Sequence, residues 1–262
     1  MTSSFKQRLK TPAMIPAAWV ELGSPDIAEI LVTHGWDTII IDGEHGRGEL
    51  EDWVNVARAV EACGGTAILR LPDGNDTLIK RALDRGFRNF IVPMVNTRAE
   101  AEQIVSAFYY PLKGHRGYAA SIVRGSNWGA RPDYGLVDSF NEITIIIQCE
   151  HIEAVDQIDD IMAVEGVDMI FIGPNDLAAS AGHLEHLDHP EVLELITKVE
   201  AAAKRRVMPL ATVRSAGRDW KELDQLGYRM VAGIFDVAML VESARRNLTA
   251  ATGQIAAPVK TY

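Results

Sequence analysis

The stretch Asp37-Thr38-Ile39-Ile40-Ile41-Asp42-Gly43-Glu44-His45-Gly46 decides the fold. Three successive β-branched residues fit a pleated strand, and no alternating polar residue marks a solvent face. A strand apolar on both sides is covered on both sides, as in a parallel sheet packed beneath helices. The run stops abruptly in Asp, Gly, Glu and His, so chemistry collects where the strand ends. Ile145-Ile146-Ile147 followed by Gln148-Cys149-Glu150 repeats the arrangement farther along the chain.

Working outward, β-rich runs recur at Met14–Val20, Asp37–Asp42, Thr66–Leu71, Asn89–Val95, Ile143–Cys149, Asp168–Gly173, Val207–Val213 and Arg229–Phe235. Helical patterns separate them. Thr97-Arg98-Ala99-Glu100 reads as a capping box, with Ala101, Ile104, Val105 and Phe108 following at helical spacing. Ser24-Pro25 is an N-cap with proline at the first helical position, and Pro190 marks another such start. Gly35, Gly64, Gly86, Gly166 and Gly227 each sit just ahead of a strand, where a helix ends in a left-handed cap. Strand–helix units repeated through 262 residues predict a single α/β domain, a (β/α)₈ TIM barrel, which typically takes about 250 residues. An open doubly wound sheet would need more polar edge strands. It would also carry a Gly-x-Gly-x-x-Gly turn after its first strand if it bound a dinucleotide, and there is none.

Composition narrows the function. The chain is 47% hydrophobic and 24% charged, ordinary for a globular protein, with 26 basic and 36 acidic residues and a net charge of −10. That balance provides no basic stripe for nucleic acid and would be repelled by an anionic membrane. No stretch approaches the roughly 18 apolar residues of a membrane span. Lys6, Arg8 and Lys10 precede no apolar run, so the amino terminus does not read as a secretory signal. Cys63 and Cys149 are the only cysteines, and two thiols imply a reducing, cytoplasmic setting without a disulfide framework.

In a barrel of this kind catalytic groups come from the carboxyl ends of the strands. Those ends read Asp42-Gly43-Glu44-His45-Gly46, then Arg70, then Gln148-Cys149-Glu150, then Gly173-Pro174-Asn175-Asp176. Glu150 and Asp176 are one βαβ unit apart, so adjacent strands would bring them to about 5 Å. Two carboxylates that close repel unless a cation lies between them, and a hard divalent ion suits oxygen ligands. Their other reading is a pair of exposed loop carboxylates or helix caps. Arg70 would enter the barrel mouth, either to neutralise a developing oxyanion or to make a structural salt bridge with a barrel carboxylate. His45, in its glycine-flanked turn, is a candidate general base or a solvated histidine. His183, His186 and His189 read as a solvated segment rather than a zinc site.

Pro111 to Asn141 interrupts the rhythm with a long connection containing Gly114-His115-Arg116-Gly117 and Arg124-Gly125-Ser126-Asn127-Trp128-Gly129. Leaving a helix, it should depart from the bottom of the barrel. Either Arg124 reaches a neighbouring subunit and completes its substrate site, or the loop holds structural arginines. Beyond residue 235 a helix and tail, 236–262, should close the chain.

Asp42-Gly43-Glu44-His45, Leu69-Arg70, Ile91-Val92-Pro93-Met94-Val95, Tyr110-Pro111 with Gly114-His115-Arg116-Gly117, Gln148-Cys149-Glu150 and Phe171-Ile172-Gly173-Pro174-Asn175-Asp176-Leu177, taken in order, resemble the class II pyruvate aldolases of the HpcH/HpaI family. The likeness runs from about Phe5 to Asn247. It implies a (β/α)₈ barrel, commonly a homohexamer of dimers that exchange a terminal helix. The reaction implied is cleavage or formation of 4-hydroxy-2-oxo acids, such as 4-hydroxy-2-oxoheptanedioate and 2-keto-3-deoxy sugar acids, through a pyruvate enolate. Glu150 and Asp176 would hold Mg²⁺, Mn²⁺ or Co²⁺, while Gln148, Gly173 and Asn175 line the pyruvate site. Arg70 would stabilise the enolate, His45 would be the base, and Asp84 would raise that histidine's basicity. No Schiff-base lysine is required, and Lys80 and Lys113 end no strand.

The sequence departs from the family at Cys149, His151, Asn175 and Leu210–Arg214, which bears on the substrate more than on the reaction class. Two other functions stand beside the aldolase: a related barrel lyase acting on a citramalyl or malyl ester, and a non-catalytic keto-acid-binding barrel.

Overall fold

The computed structural model describes residues 4–215 and 218–253. Its eight strands are β1 (Ile15–Val20), β2 (Thr38–Asp42), β3 (Thr66–Arg70), β4 (Asn89–Val92), β5 (Thr144–Cys149), β6 (Met169–Ile172), β7 (Leu210–Val213) and β8 (Met230–Phe235). Every neighbouring pair is parallel, and β8 pairs with β1, closing the barrel in sequence order. Helices fill the intervals between strands, as the (β/α)₈ reading requires. The part of the tail beyond residue 253 lies outside the described residues.

Strand alternation creates two packing surfaces. Ile39 and Ile41 face outward into the large cluster shared with the helices, among Val56, Val60 and Leu69. Ile40 points inward with Trp19, Ile68, Ile91, Ile146, Met169 and Phe171. Continuing that parity to the strand ends turns Asp42, Arg70 and Gln148 into the barrel's upper mouth. At the lower end the short helix Phe5–Arg8 acts as a plug, with Phe5 and Leu9 buried against the inward layer. Lys6 holds it there through Asp168 at 3.0 Å and the Ile143 carbonyl at 2.8 Å.

The expected caps are present. Ser24 and Thr97 cap their helices through the side chain, Thr97 within a complete capping box, and Pro25 and Pro190 occupy first helical turns. Gly35, Gly64, Gly86, Gly166 and Gly227 all have positive φ.

Two strand boundaries differ by more than a residue. β4 ends at Val92 rather than Val95, because Pro93 has no N–H to donate and Met94 turns to φ 53°. β7 begins at Leu210 rather than Val207, because the preceding helix runs to Arg206 and Val207 is its left-handed cap.

The connection 111–141 folds against its own chain through a 3₁₀ turn (Arg124–Ser126), a π-helical turn (Tyr134–Asp138) and the short helix Ser139–Asn141. Arg116, with no exposed side-chain surface, bonds Asp84 at 2.7 Å and stacks over Tyr110. Arg124 bonds Glu61 at 2.6 Å and the Arg85 carbonyl at 2.9 Å. Glu61 and Arg85 lie at the C-terminal ends of their helices, so this loop leaves and anchors at the bottom of the barrel.

Candidate active site

The mouth is built around Arg70. As the last residue of β3 it stands in register with Asp42, the last residue of β2. Its Nε and Nη2 donate to the two Asp42 carboxylate oxygens at 2.9 and 2.7 Å, a bidentate pair, and Nη1 lies 3.0 Å from Glu44. The guanidinium also sits over the Trp19 ring at 4.4 Å. Asp42 is fully buried and takes the Glu44 and His45 N–H groups at 3.0 and 3.2 Å, so one carboxylate orients both Arg70 and the turn that follows β2. Burial opposes its ionisation, but the Arg70 bonds prevail and hold its pKa below the usual range. The two readings of Arg70 are therefore compatible: the salt bridge is real, and it is located in the mouth. A guanidinium carries five N–H groups, and these three contacts leave some of them for another partner.

Across the mouth, Glu150 follows β5 directly. It is 2% exposed. Its Oε1 accepts the Met94 N–H at 2.7 Å and its Oε2 accepts from Gln148 Nε2. The left-handed backbone at Met94, rare for a non-glycine residue, aims that N–H at the carboxylate. Burial is the main force raising the Glu150 pKa to about 7, with Glu44 and Asp176 adding repulsion that the two hydrogen bonds only partly offset. Glu44 is raised for the same reasons, burial first and then Asp42 and Asp176.

Gly173 forms the floor beside this group. A Cβ there would lie 2.7 Å from Glu150 Oε2 and 3.2 Å from Gln148 Nε2, so the bare backbone is what leaves room. The Gly173 N–H is committed to the Cys149 carbonyl at 3.1 Å. Pro174 has none. Asn175 and Asp176, in the first turn of the helix Pro174–Ser180, retain the N–H groups that can face an anion. Asp176 thus comes from a helix start, not from the strand end beside Glu150.

Of the predicted residues, Arg70, Gln148, Glu150, Gly173, Asn175, Asp176 and His45 belong to the upper end of the barrel. His45 is at the rim, its side chain 65% exposed and its Nε2 3.8 Å from Glu44. Asp84 and Arg124 are not brought to this end within the chain. Asp84 ends the helix Asp76–Asp84 and pairs with Arg116 at the bottom, and Arg124 pairs with Glu61 there. The distance between the two ends separates Asp84 from His45. Lys80 lies on that same helix and Lys113 lies over the Phe140 ring, so neither enters the mouth.

Asp42, Glu44, Trp19 and the Met94 N–H had been assigned no role from sequence. For Asp42 and Trp19 the signal existed: both have inward parity along their strands, Asp42 in register with Arg70 and Trp19 one inward position lower, where the guanidinium covers its ring.

Glu150, buried and raised, and Glu44, also raised, both feel the Asp176 charge, and the three carboxyl groups form an oxygen-rich site that a divalent cation would relieve. The donors present fit a hard ion. Cys149, the nearest soft donor, is buried and its thiol is pushed up to about 12 by burial.

Residues 17–243 match the family described as HpcH/HpaI aldolase/citrate lyase. The chain is 36% identical over 230 residues to a 5-keto-4-deoxy-D-glucarate aldolase of Citrobacter koseri, covering 88% of this chain and 89% of that one. It is 36% identical over 208 residues to a 2-keto-3-deoxy-L-rhamnonate aldolase of Escherichia coli, covering 78% of each. Among solved structures, an HpcH/HpaI aldolase/citrate lyase family protein from Burkholderia cenocepacia superimposes with a TM-score of 0.89 at 33% identity, covering 95% of this chain and 99% of the other.

Proposed function

We propose, for a chain that belongs to the HpcH/HpaI aldolase/citrate lyase family and is by that membership a carbon–carbon lyase, a metal-dependent cleavage of 4-hydroxy-2-oxo acids to pyruvate and an aldehyde. The buried carboxyl of Glu150, pressed by Glu44 and Asp176 and facing Arg70 across the mouth, is the observation that carries this reading. Keto-deoxy sugar acids, which lack the hydroxyl on the carbon next to the ketone, are the substrate class, since relatives similar over most of the chain are named for a keto-deoxyglucarate and a keto-deoxyrhamnonate.

Glu150 and Asp176 would hold the ion, Mg²⁺, Mn²⁺ or Co²⁺. When bound, it supplies the Lewis acidity that draws electrons into a ketone and keeps Glu150 ionised at neutral pH. The chain's own groups do the rest. The Asn175 and Asp176 N–H groups and the Gln148 amide hold the carboxylate end of the substrate. His45, exposed at the rim, takes the C4 hydroxyl proton directly or through a water. The C3–C4 bond then breaks, its electron pair passing into pyruvate enolate as the aldehyde forms. The N–H groups of Arg70 not used by Asp42 and Glu44 meet the enolate oxygen, and Asp42 keeps the guanidinium from turning away. Proton return to C3 gives pyruvate.

Both cysteines are free thiols and no described helix is long and apolar enough to cross a membrane, which agrees with a cytoplasmic catabolic role. A homo-oligomer, a hexamer by resemblance, is supported by the helix Asp236–Thr252, which leaves Leu240 62% and Leu248 53% exposed.

A lyase assay coupled to lactate dehydrogenase, run over a panel of 4-hydroxy-2-oxo acids with several metals, tests the proposal. Pyruvate release that needs a divalent ion is expected. Full activity in chelator, with substrate trapped on the chain by borohydride, would reject it.

A further inference from the structure

The loop that joins the helix bearing Asp176 to the long helix Pro190–Arg206 carries a second set of donor atoms, independent of the mouth. Two successive turns shape it, His186 N–H to the His183 carbonyl at 2.9 Å and His189 N–H to the His186 carbonyl at 3.1 Å. A bond from the His183 N–H to the Ala178 carbonyl, 2.8 Å, ties it back to the preceding helix. The rings of His183 and His189 are thereby stacked, 3.5 Å between centroids and 17° from parallel. His183 Nε2 lies 2.8 Å from Glu191 Oε2 in the first turn of the next helix. One ligand atom from each of His183, His189 and Glu191 falls within 4.8 Å of the other two, the one such trio of His, Cys, Asp or Glu among the described residues.

We propose that His183, His189 and Glu191 form a binding site for a divalent transition-metal ion, Zn²⁺, Ni²⁺ or Co²⁺, separate from the carboxylates of the mouth. Imidazole nitrogen selects these ions over Mg²⁺, which prefers oxygen and water. An ion about 2.1 Å from an imidazole nitrogen and a carboxylate oxygen holds the two roughly 3 Å apart. His183 and Glu191 already have that spacing with a proton between them, so the ion replaces the proton without moving the backbone. His189 gives the third donor by rotating out of the stack, losing that ring contact and a long capping bond from the Glu191 N–H to its Nδ1, 3.3 Å. With the His183 and Glu191 side chains 22% and 61% exposed, water completes the coordination. Two neutral imidazoles and one carboxylate leave the ion's charge partly compensated, and the chain's net charge of −10 favours a cation. The segment is part-exposed, which agrees with its reading as solvated. Spacing along the chain did not show that Glu191 and two of the three histidines converge.

The ion would cross-link the loop to the helix Pro190–Arg206, so metal titrations of this enzyme contain two classes of site, only one of them bearing on catalysis.

Ni²⁺ titrated calorimetrically into the Glu150→Gln/Asp176→Asn chain isolates the loop site. One equivalent is expected to bind, with imidazole scattering in its X-ray absorption spectrum. Adding His183→Ala/His189→Ala should weaken binding by at least about thirtyfold, roughly 2 kcal/mol, and Glu191→Gln, on an exposed helix turn, should weaken it as well. Equilibrium dialysis of the wild-type chain in excess Mg²⁺, with and without the two histidine substitutions, should differ by one Ni²⁺ and does not depend on how the carboxylate variant folds. Equal Ni²⁺ binding with and without those histidines, or no stoichiometric binding outside the mouth, overturns the proposal.

Discussion

Glu150→Gln is expected to stabilise the metal-free chain at pH 8 while removing its response to a divalent ion. Burial and the nearby acids raise this carboxyl from 4.5 to about 7. The unfolded chain releases the proton near 4.5 and the folded chain retains it to about 7. The group's contribution to stability is therefore fully present below 4.5 and is lost as pH rises through 7. At pH 8 the whole difference acts against the folded state, about 3 kcal/mol, and at pH 5 it falls below about 1 kcal/mol. A neutral amide avoids that loss, and its surroundings can accept it. The new carbonyl oxygen takes the Met94 N–H. Gln148 then reverses its own amide to offer Oε1, a buried atom that has no partner in the wild-type mouth. In a chain of this size about 3 kcal/mol corresponds to roughly 6 °C in Tm. Thermal denaturation in EDTA at pH 8 should show that gain, shrinking at pH 5, and Mn²⁺ should raise the Tm of the wild type but not of the variant. A variant no more stable than wild type at pH 8, or a gain of equal size at both pH values, would refute the assignment of a buried, charge-crowded carboxyl to Glu150.

Other expectations concern the remaining groups. EDTA should abolish pyruvate release and Mn²⁺, Mg²⁺ or Co²⁺ restore it, measured by the coupled assay. Arg70→Lys keeps the charge but loses the bidentate pair with Asp42, so kcat should fall by about a hundredfold, whereas Arg70→Ala strands buried Asp42 and should cost about 3 kcal/mol in denaturant unfolding. His45→Gln should lower kcat by about a hundredfold or more with Mn²⁺ affinity unchanged, as calorimetry would show. Mixed oligomers of Arg124→Ala and His45→Ala chains should show no more activity than the two variants contribute separately, because Arg124 is engaged with Glu61 and Arg85 of its own chain; turnover above that sum would instead assign it to a neighbour's site.

Much of the site was legible because a strand's period of two is rigid. Once Ile39-Ile40-Ile41 is read as a doubly covered strand, the inward residue at each strand end follows by counting, and Arg70, Gln148 and Glu150 fall into the mouth. Where the chain leaves that period, reading becomes weaker. Asp176 belongs to a helix turn past a glycine and a proline, and Met94 reaches Glu150 through a left-handed residue that no periodicity announces. Asp84 shows the opposite failure: a motif likeness suggested a partner in His45, while the chain's own geometry gives that carboxylate to Arg116.

By itself, then, the sequence determined the barrel, the order of its strands, the helix caps and the side of the barrel where chemistry gathers. These depend on local propensity and on apolar pattern, which are written along the chain. Only the tertiary structure decided which charges meet. The Asp42–Arg70–Glu44 arrangement, the burial and the repulsion that raise Glu150, the anchoring of Arg116 and Arg124 at the far end and the convergence of His183, His189 and Glu191 all join residues from separate elements. Electrostatic energy varies with distance and burial, and neither quantity is a property of sequence spacing.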